Sequence, residues 1–128
     1  MAKVRSLGNM STEQTVEKGL VTRRIRGWVK HPKDIVGRPD FYFPRYRLAV
    51  FVDGCFWHAC PTCKRRTPRT RSRFWAKKIS ANRQRDLRIR RRLWALGFHS
   101  MRIWEHDLKK DKWTGRLVRM LSRIADNA

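Results

Sequence analysis

Leu48-Ala49-Val50-Phe51-Val52-Asp53-Gly54-Cys55-Phe56-Trp57-His58-Ala59-Cys60-Pro61-Thr62-Cys63 changes character at its sixth residue. The first five side chains are apolar without alternation, which suits a strand buried on both faces. Such a strand belongs in the middle of a sheet with helices on either side. An acid then ends it, a glycine turns the chain, and a loop follows. All three cysteines of the protein fall within nine residues of that loop, interleaved with a histidine and two large aromatics. Metal ligands, a carboxylate, an imidazole and stacking surfaces at one spot point to zinc-stabilised nucleic-acid chemistry.

Working outward, Met1 to Met10 reads as a flexible basic arm, with Lys3 and Arg5, and 11–128 as one domain. Ser11 or Thr12 can cap a helix over Thr12 to Arg26, with Val16, Leu20 and Ile25 as its apolar stripe, weakened by Gly19 and ended by Gly27. Trp28 to Val36, interrupted by Pro32, is irregular or a short strand; Phe41 to Phe43 and Arg47 to Val52 have strand character. Cys55 to Arg71 is a loop. Ser72 to Leu96 forms the longest helix, with Trp75, Ile79, Ile89, Leu93 and Leu96 on one stripe and Gly97 as its stop. Asn82 and Asp86 fall on that stripe too, so each is either a core hydrogen-bonder or a site residue. His99 to Trp104 is another strand, Leu108 to Trp113 a polar loop, and Thr114 to Ile124 a helix with Leu117, Val118, Leu121 and Ile124 on one face. Of the tryptophans, Trp28, Trp94, Trp104 and Trp113 are expected to pack. This order predicts an α/β domain whose small mixed central sheet is flanked by helices.

Net charge is +22. Self-repulsion at that charge calls for a polyanionic partner. From Lys64 to Arg92 there are 14 Lys/Arg and one acid, Asp86, where a merely solvated helix face would mix signs. The run suits phosphate contacts and says nothing of sequence preference. The chain has no apolar run near 18 residues, no secretory core and no lipidation signal. A cytoplasmic, nucleoid-associated protein of a bacterium or phage is expected, with no membrane partner. In a reducing compartment, clustered cysteines usually bind metal.

Cys55, Cys60 and Cys63 supply three of the four ligands that structural zinc wants. The fourth comes from His58, His106, His31 or His99. His106, just past the last strand, would staple two parts of the domain; His58 is its rival. Asp40 opens one strand and Asp53 closes the next. If those strands are antiparallel neighbours, the two carboxylates approach and form a hard-oxygen Mg²⁺ site for phosphodiester hydrolysis. Glu17 is a third candidate. The alternative is a turn cap at Asp40 and a loop hydrogen-bonder at Asp53. The spacing is similar to the loose Pro-Asp…Asp/Glu-x-Lys nuclease pattern, but Cys55 stands where its lysine would be. His58 is either a general base or acid, or a zinc ligand. Phe56-Trp57 and Phe74-Trp75 can wedge between base steps, or cover the core and the zinc loop.

Taken in order, these residues resemble the very-short-patch-repair (Vsr) DNA mismatch endonucleases. The resemblance rests on Asn9-Met10 with Glu17, Gly37-Arg38-Pro39-Asp40-Phe41, Val50 to His58, Phe74-Trp75 with Lys78-Ile79, Asn82 with Arg85-Asp86, and Trp104-Glu105-His106. It implies a fold like that of restriction endonucleases and nicking beside the thymine of a T:G mismatch. It implies that Asp40 is the principal Mg²⁺ ligand, with the Val52 carbonyl beside it, that His58 is the catalytic base or acid, and that Glu17 assists at the water. By the same likeness Phe56, Trp57 and Trp75 intercalate, and Cys55, Cys60, Cys63 and His106 hold structural zinc. The chain departs from a known member in carrying Val52 and Asp53 where that member has a hydroxyl residue and a histidine. Arg38, Lys64, Arg65, Arg66, Lys78, Asn82 and Arg85 are the candidate DNA contacts. Expected partners are double-stranded DNA and other mismatch-repair proteins, the chain acting as a monomer. The rivals are a non-catalytic zinc-containing nucleic-acid binder and a related nuclease of a mobile element or defence system that acts on undamaged DNA.

Overall fold

A computed structural model of the protein describes residues 2–54, 72–109 and 112–127. Helix α1 spans Ala2–Thr22, strands β1 and β2 span Val29–Lys30 and Phe41–Phe43, and β3 spans Leu48–Asp53. Helix α2 spans Ser72–Ala95, β4 His99–Trp104 and α3 Lys112–Asp126, with 3₁₀ turns at Pro44–Tyr46 and Glu105–Lys109. The strands form one sheet in the order β1-β2-β3-β4. The first two pairings are antiparallel and β3–β4 is parallel, with α2 in the crossover between them. The mixed α/β architecture expected from the sequence is therefore present, and β3 is interior as its apolar run required. No described helix is long and apolar enough to cross a membrane.

The pleat of β3 divides the core. Leu48, Val50 and Val52 face α1 and α3, joining Val16, Leu20, Phe41, Phe43, Met101, Ile103, Trp113 and Leu117. Ala49 and Phe51 face α2, where Leu93 is the one helical side chain fully buried among the described residues of that cluster. Each fully buried large apolar side chain contributes roughly 1.5–3 kcal/mol. Among the described residues the first cluster holds eleven buried residues and the second three, so their apolar burial is concentrated on the α1/α3 face. Helix α2 is held also at its C-terminal end. Arg47, itself left-handed at φ 49°, donates to the carbonyls of Leu96 and Gly97 at 3.1 Å each and stacks on Phe98, capping the helix C-terminus.

Several sequence expectations need correction. The first helix starts at Ala2 and takes in the stretch read as an arm. The last starts at Lys112, so Trp113 is not in a loop but fully buried in the first turn of α3. Gly19 explains the burial: a Cβ there would lie 2.5 Å from the Trp113 ring, so the glycine admits the indole rather than simply weakening α1. Trp94 is not a packing residue, being 73% exposed, and Val118 lies off the buried face of α3 at 49%. Leu96 is exposed because the stripe on α2 ends with Leu93.

Candidate active site

Three strands converge on Asp40. Gly37 and Arg38, both with positive φ, turn the chain ahead of buried Pro39 and deliver Asp40 to the start of β2. The turn needs glycine: a Cβ on Gly37 would lie 2.4 Å from Ile89 of α2. The Asp40 amide donates to the Val50 carbonyl at 3.0 Å, and the His31 amide donates to the Asp40 carbonyl at 3.0 Å. The Val52 amide donates to Asp40 Oδ2 at 2.6 Å. Backbone bonds from both neighbouring strands thus fix the residue, and one of them holds its carboxylate.

Two further groups reach the same point. Glu13 of α1 hydrogen-bonds the Asp40 side chain. Its Oε2 also lies 2.9 Å from His31 Nε2. Glu13, His31 and Asp40 each offer one ligand atom, all within 4.8 Å of one another. Burial, the hydrogen bond to Glu13 and repulsion from Glu13 push the Asp40 carboxyl up to about 7, against the pull of the Val52 amide and Arg102.

Asp53 and Val52 line the same cleft as Asp40, about 440 Å³ in volume, with Arg38, Arg85, Asp86 and Arg102. Asp40 and Asp53 line one cleft, but Asp53 is not among the ligand atoms that gather at Asp40, and the two carboxylates have different partners. Asp53 is ion-paired with Arg102, which also approaches Asp86 at 3.4 Å. Burial lowers the Arg102 guanidinium to about 10. Buried Asn82 accepts from Arg85 at 3.1 Å, and Arg85 and Asp86 of α2 line the cleft.

Glu17 is not at Asp40: it pairs with Lys30 at 2.9 Å, and Glu13, one helical turn earlier, takes the place beside the carboxylate. His106 lies in the 3₁₀ turn after β4, half-buried, with Nε2 3.2 Å from Asp107 Oδ1. Trp75 is half-buried in the first turns of α2, edge-on to Phe74 at 5.1 Å, with Lys78 over the Phe74 ring. Cys55, Phe56, Trp57, His58, Cys60, Cys63, Lys64, Arg65 and Arg66 lie outside the described residues.

Glu13 was not singled out as a site residue from sequence, and His31 was named there only as one candidate for the fourth zinc ligand. Glu13 and Glu17 are four residues apart on one helix face, and spacing alone does not say which reaches Asp40. A second missed feature is a groove of about 700 Å³ between α2, β4 and α3, lined by Arg83, Arg90, Arg102, Arg116, Arg119 and Arg123 with Asp86. Its signal was present as Arg116, Arg119 and Arg123 at helical spacing. The groove shares Phe51, Asp86 and Arg102 with the acidic cleft, so the two adjoin.

A carboxylate fixed at the start of β2, beside arginine-lined grooves, suits chemistry on a polyanionic backbone. A family model for the DNA mismatch endonuclease Vsr matches residues 1–65. A type II nicking enzyme of Neisseria meningitidis, V.NmeAIP, is 36% identical over 115 residues, 89% of this chain and 81% of the relative. V.XorIIP of Xanthomonas oryzae, also a type II nicking enzyme, is 40% identical over 96 residues, 75% of this chain and 68% of the relative. The DNA mismatch endonuclease Vsr of Escherichia coli is 42% identical over 73 residues, 57% of this chain and 47% of that protein. The chain belongs to the Vsr family of endonucleases.

Proposed function

We propose that the chain is a Mg²⁺-dependent endonuclease that nicks one strand of duplex DNA beside a T:G mismatch, in very short patch repair. The observation that carries this reading is Asp40, held across three strands with a second carboxylate, Glu13, against it. Burial and the neighbouring Glu13 push the Asp40 carboxyl up, and a divalent cation there would favour its charged form, so the oxygen donors fit the ion. Asp40 would hold Mg²⁺, with the Val52 carbonyl beside it. A Mg²⁺ ion there supplies polarisation of the phosphodiester and a more acidic water. Asp53 lines the same cleft, and through its ion pair it holds Arg102 where a phosphate would pass. Glu13 orients the attacking water and takes its proton. The water oxygen bonds to phosphorus, the bond from phosphorus to the 3′ oxygen breaks, and His58 gives that oxygen a proton. The products are a 5′-phosphate and a 3′-hydroxyl.

Phe56, Trp57 and Trp75 are proposed to wedge the duplex open where a mismatch makes unstacking easiest. Lys78, Arg85, Arg38 and Asn82, with Lys64, Arg65 and Arg66, are proposed to hold the DNA. Zinc on Cys55, Cys60, Cys63 and His106 is proposed as the structural staple. The parallel register Asp53↔Trp104 supports it, since β3 and β4 leave the sheet at the same edge. Asp107 beside one ring nitrogen of His106 leaves the other for an ion, as metal-bound histidines require.

The test compares a T:G heteroduplex with its matched duplex, in Mg²⁺ and in EDTA, for the wild-type chain and Asp40→Ala. The expected result is one nick, in the mismatched duplex, only with Mg²⁺ and only with Asp40. A second reading, favoured by relatives named as nicking enzymes, is a family nuclease of undamaged DNA. Equal cutting of the matched duplex would establish it. Cutting by Asp40→Ala would refute the assignment of the site.

A further inference from the structure

His31 sits just past β1 and belongs to no part of the reading above. Its backbone is left-handed, φ 51°, and its amide is tied to the Asp40 carbonyl at 3.0 Å. Its ring nitrogen Nε2 is held 2.9 Å from Glu13 Oε2, while the ring as a whole stays 54% exposed and Glu13 only 13%. An exposed histidine paired with a surface acid would be unremarked. Here the acid is largely buried and also bonded to Asp40, so the imidazole closes a three-donor group whose ligand atoms lie within 4.8 Å of one another.

The chemistry of that donor set is specific. Mg²⁺ prefers oxygen ligands in near-ideal octahedral geometry and keeps its waters. Imidazole suits first-row transition ions, and affinity for mixed nitrogen–oxygen sites rises along that series. We propose that His31, with Glu13 and Asp40, forms a mixed nitrogen–oxygen cation site that binds Mn²⁺ more tightly than Mg²⁺. This rests on the reading that Asp40 holds a divalent ion and adds a ligand and a cation preference to it. In the pair His31–Glu13 the hydrogen bond then gives way to two bonds to one ion.

The experiment is Mn²⁺ binding to the full chain, zinc left as purified, read by pulsed electron paramagnetic resonance and by titration. The expected spectrum of the wild-type protein carries the ¹⁴N coupling of a directly bound imidazole. His31→Ala loses that coupling and binds Mn²⁺ at least about tenfold more weakly, with Mg²⁺ affinity from competition changing much less. His31→Asn tolerates the left-handed backbone and loses the coupling as well, which separates ligand loss from strain. His58→Ala retains it. Coupling that persists in both His31 variants, or Mn²⁺ affinity unchanged in them, overturns the proposal. If Asp40→Ala abolishes Mn²⁺ binding while the His31 variants do not, the Asp40 cation site stands and the role of His31 falls. If Asp40→Ala binds Mn²⁺ as the wild type does, both fall.

Discussion

Asp40 carries its proton to about pH 7 in the folded chain, against an ordinary value of 3.8. Because the folded value is the higher, the stability this proton supplies is complete below the unfolded value and is lost as pH rises through 7. The Tm of the metal-free protein should therefore fall as pH is raised from about 5 to about 8. Asp40→Asn should flatten that slope, and Mg²⁺ should raise Tm most at the alkaline end, where the carboxylate is bare; thermal melts in EDTA and in Mg²⁺ check this. Glu13 and Glu17 give a sharper test at the same scale. Glu17 is paired with Lys30 at the surface, away from Asp40, and Glu17→Gln should leave nicking within about twofold. Glu13→Gln should lower kcat by about 10²-fold, the ordinary contribution of a positioned general base, in single-turnover assays. Asp40 was legible as the acid of Gly37-Arg38-Pro39-Asp40 because turn residues and an apolar strand frame it. Glu13 was not: a helix offers two acids one turn apart, and tertiary docking chooses between them.

Among the elements, the packing of α1 on α3 turns on the space at Gly19. An exposed helical glycine replaced by alanine gains up to about 1 kcal/mol of helix propensity. Here the new methyl would sit 2.5 Å from Trp113, an indole with no room to withdraw because it is fully buried. Overpacking of that kind costs about 1–3 kcal/mol, so Gly19→Ala should lower stability, seen as a lower midpoint in urea with an unchanged m-value. The strands and α2 were legible from the continuous apolar run at Leu48 to Val52 and the stripe ending at Leu93, since periodicity reports burial directly. Trp113 was not, because its partner is a glycine on a distant helix and an absent side chain leaves no pattern. Trp94 misled for a related reason: hydrophobic identity does not force burial, and this indole meets the His99 ring edge-on while staying largely in solvent.

For the molecule as a whole, charge dominates. With +22 over 128 residues and two adjoining clefts lined by arginines, duplex binding should weaken steeply with salt. A footprint of six to ten phosphates would lose about 10³–10⁵ in affinity between 50 and 200 mM salt, measured as the slope of log K against log salt. The sign and size of this field could be read from composition alone. Its division into a groove beside α3 could not, because that follows from how β4 places Arg102 between two helices. The parallel pairing of β3 with β4 has a kinetic corollary. The 45 residues from Gly54 to Phe98 must be gathered in before Asp53 can meet Trp104, and they carry 14 Lys/Arg against the single acid Asp86. Ring closure over that length is slow by entropy and slower by mutual repulsion. Refolding by stopped flow should therefore quicken as moderate sodium chloride is added, so the ions that loosen this protein's grip on DNA should hasten its own assembly.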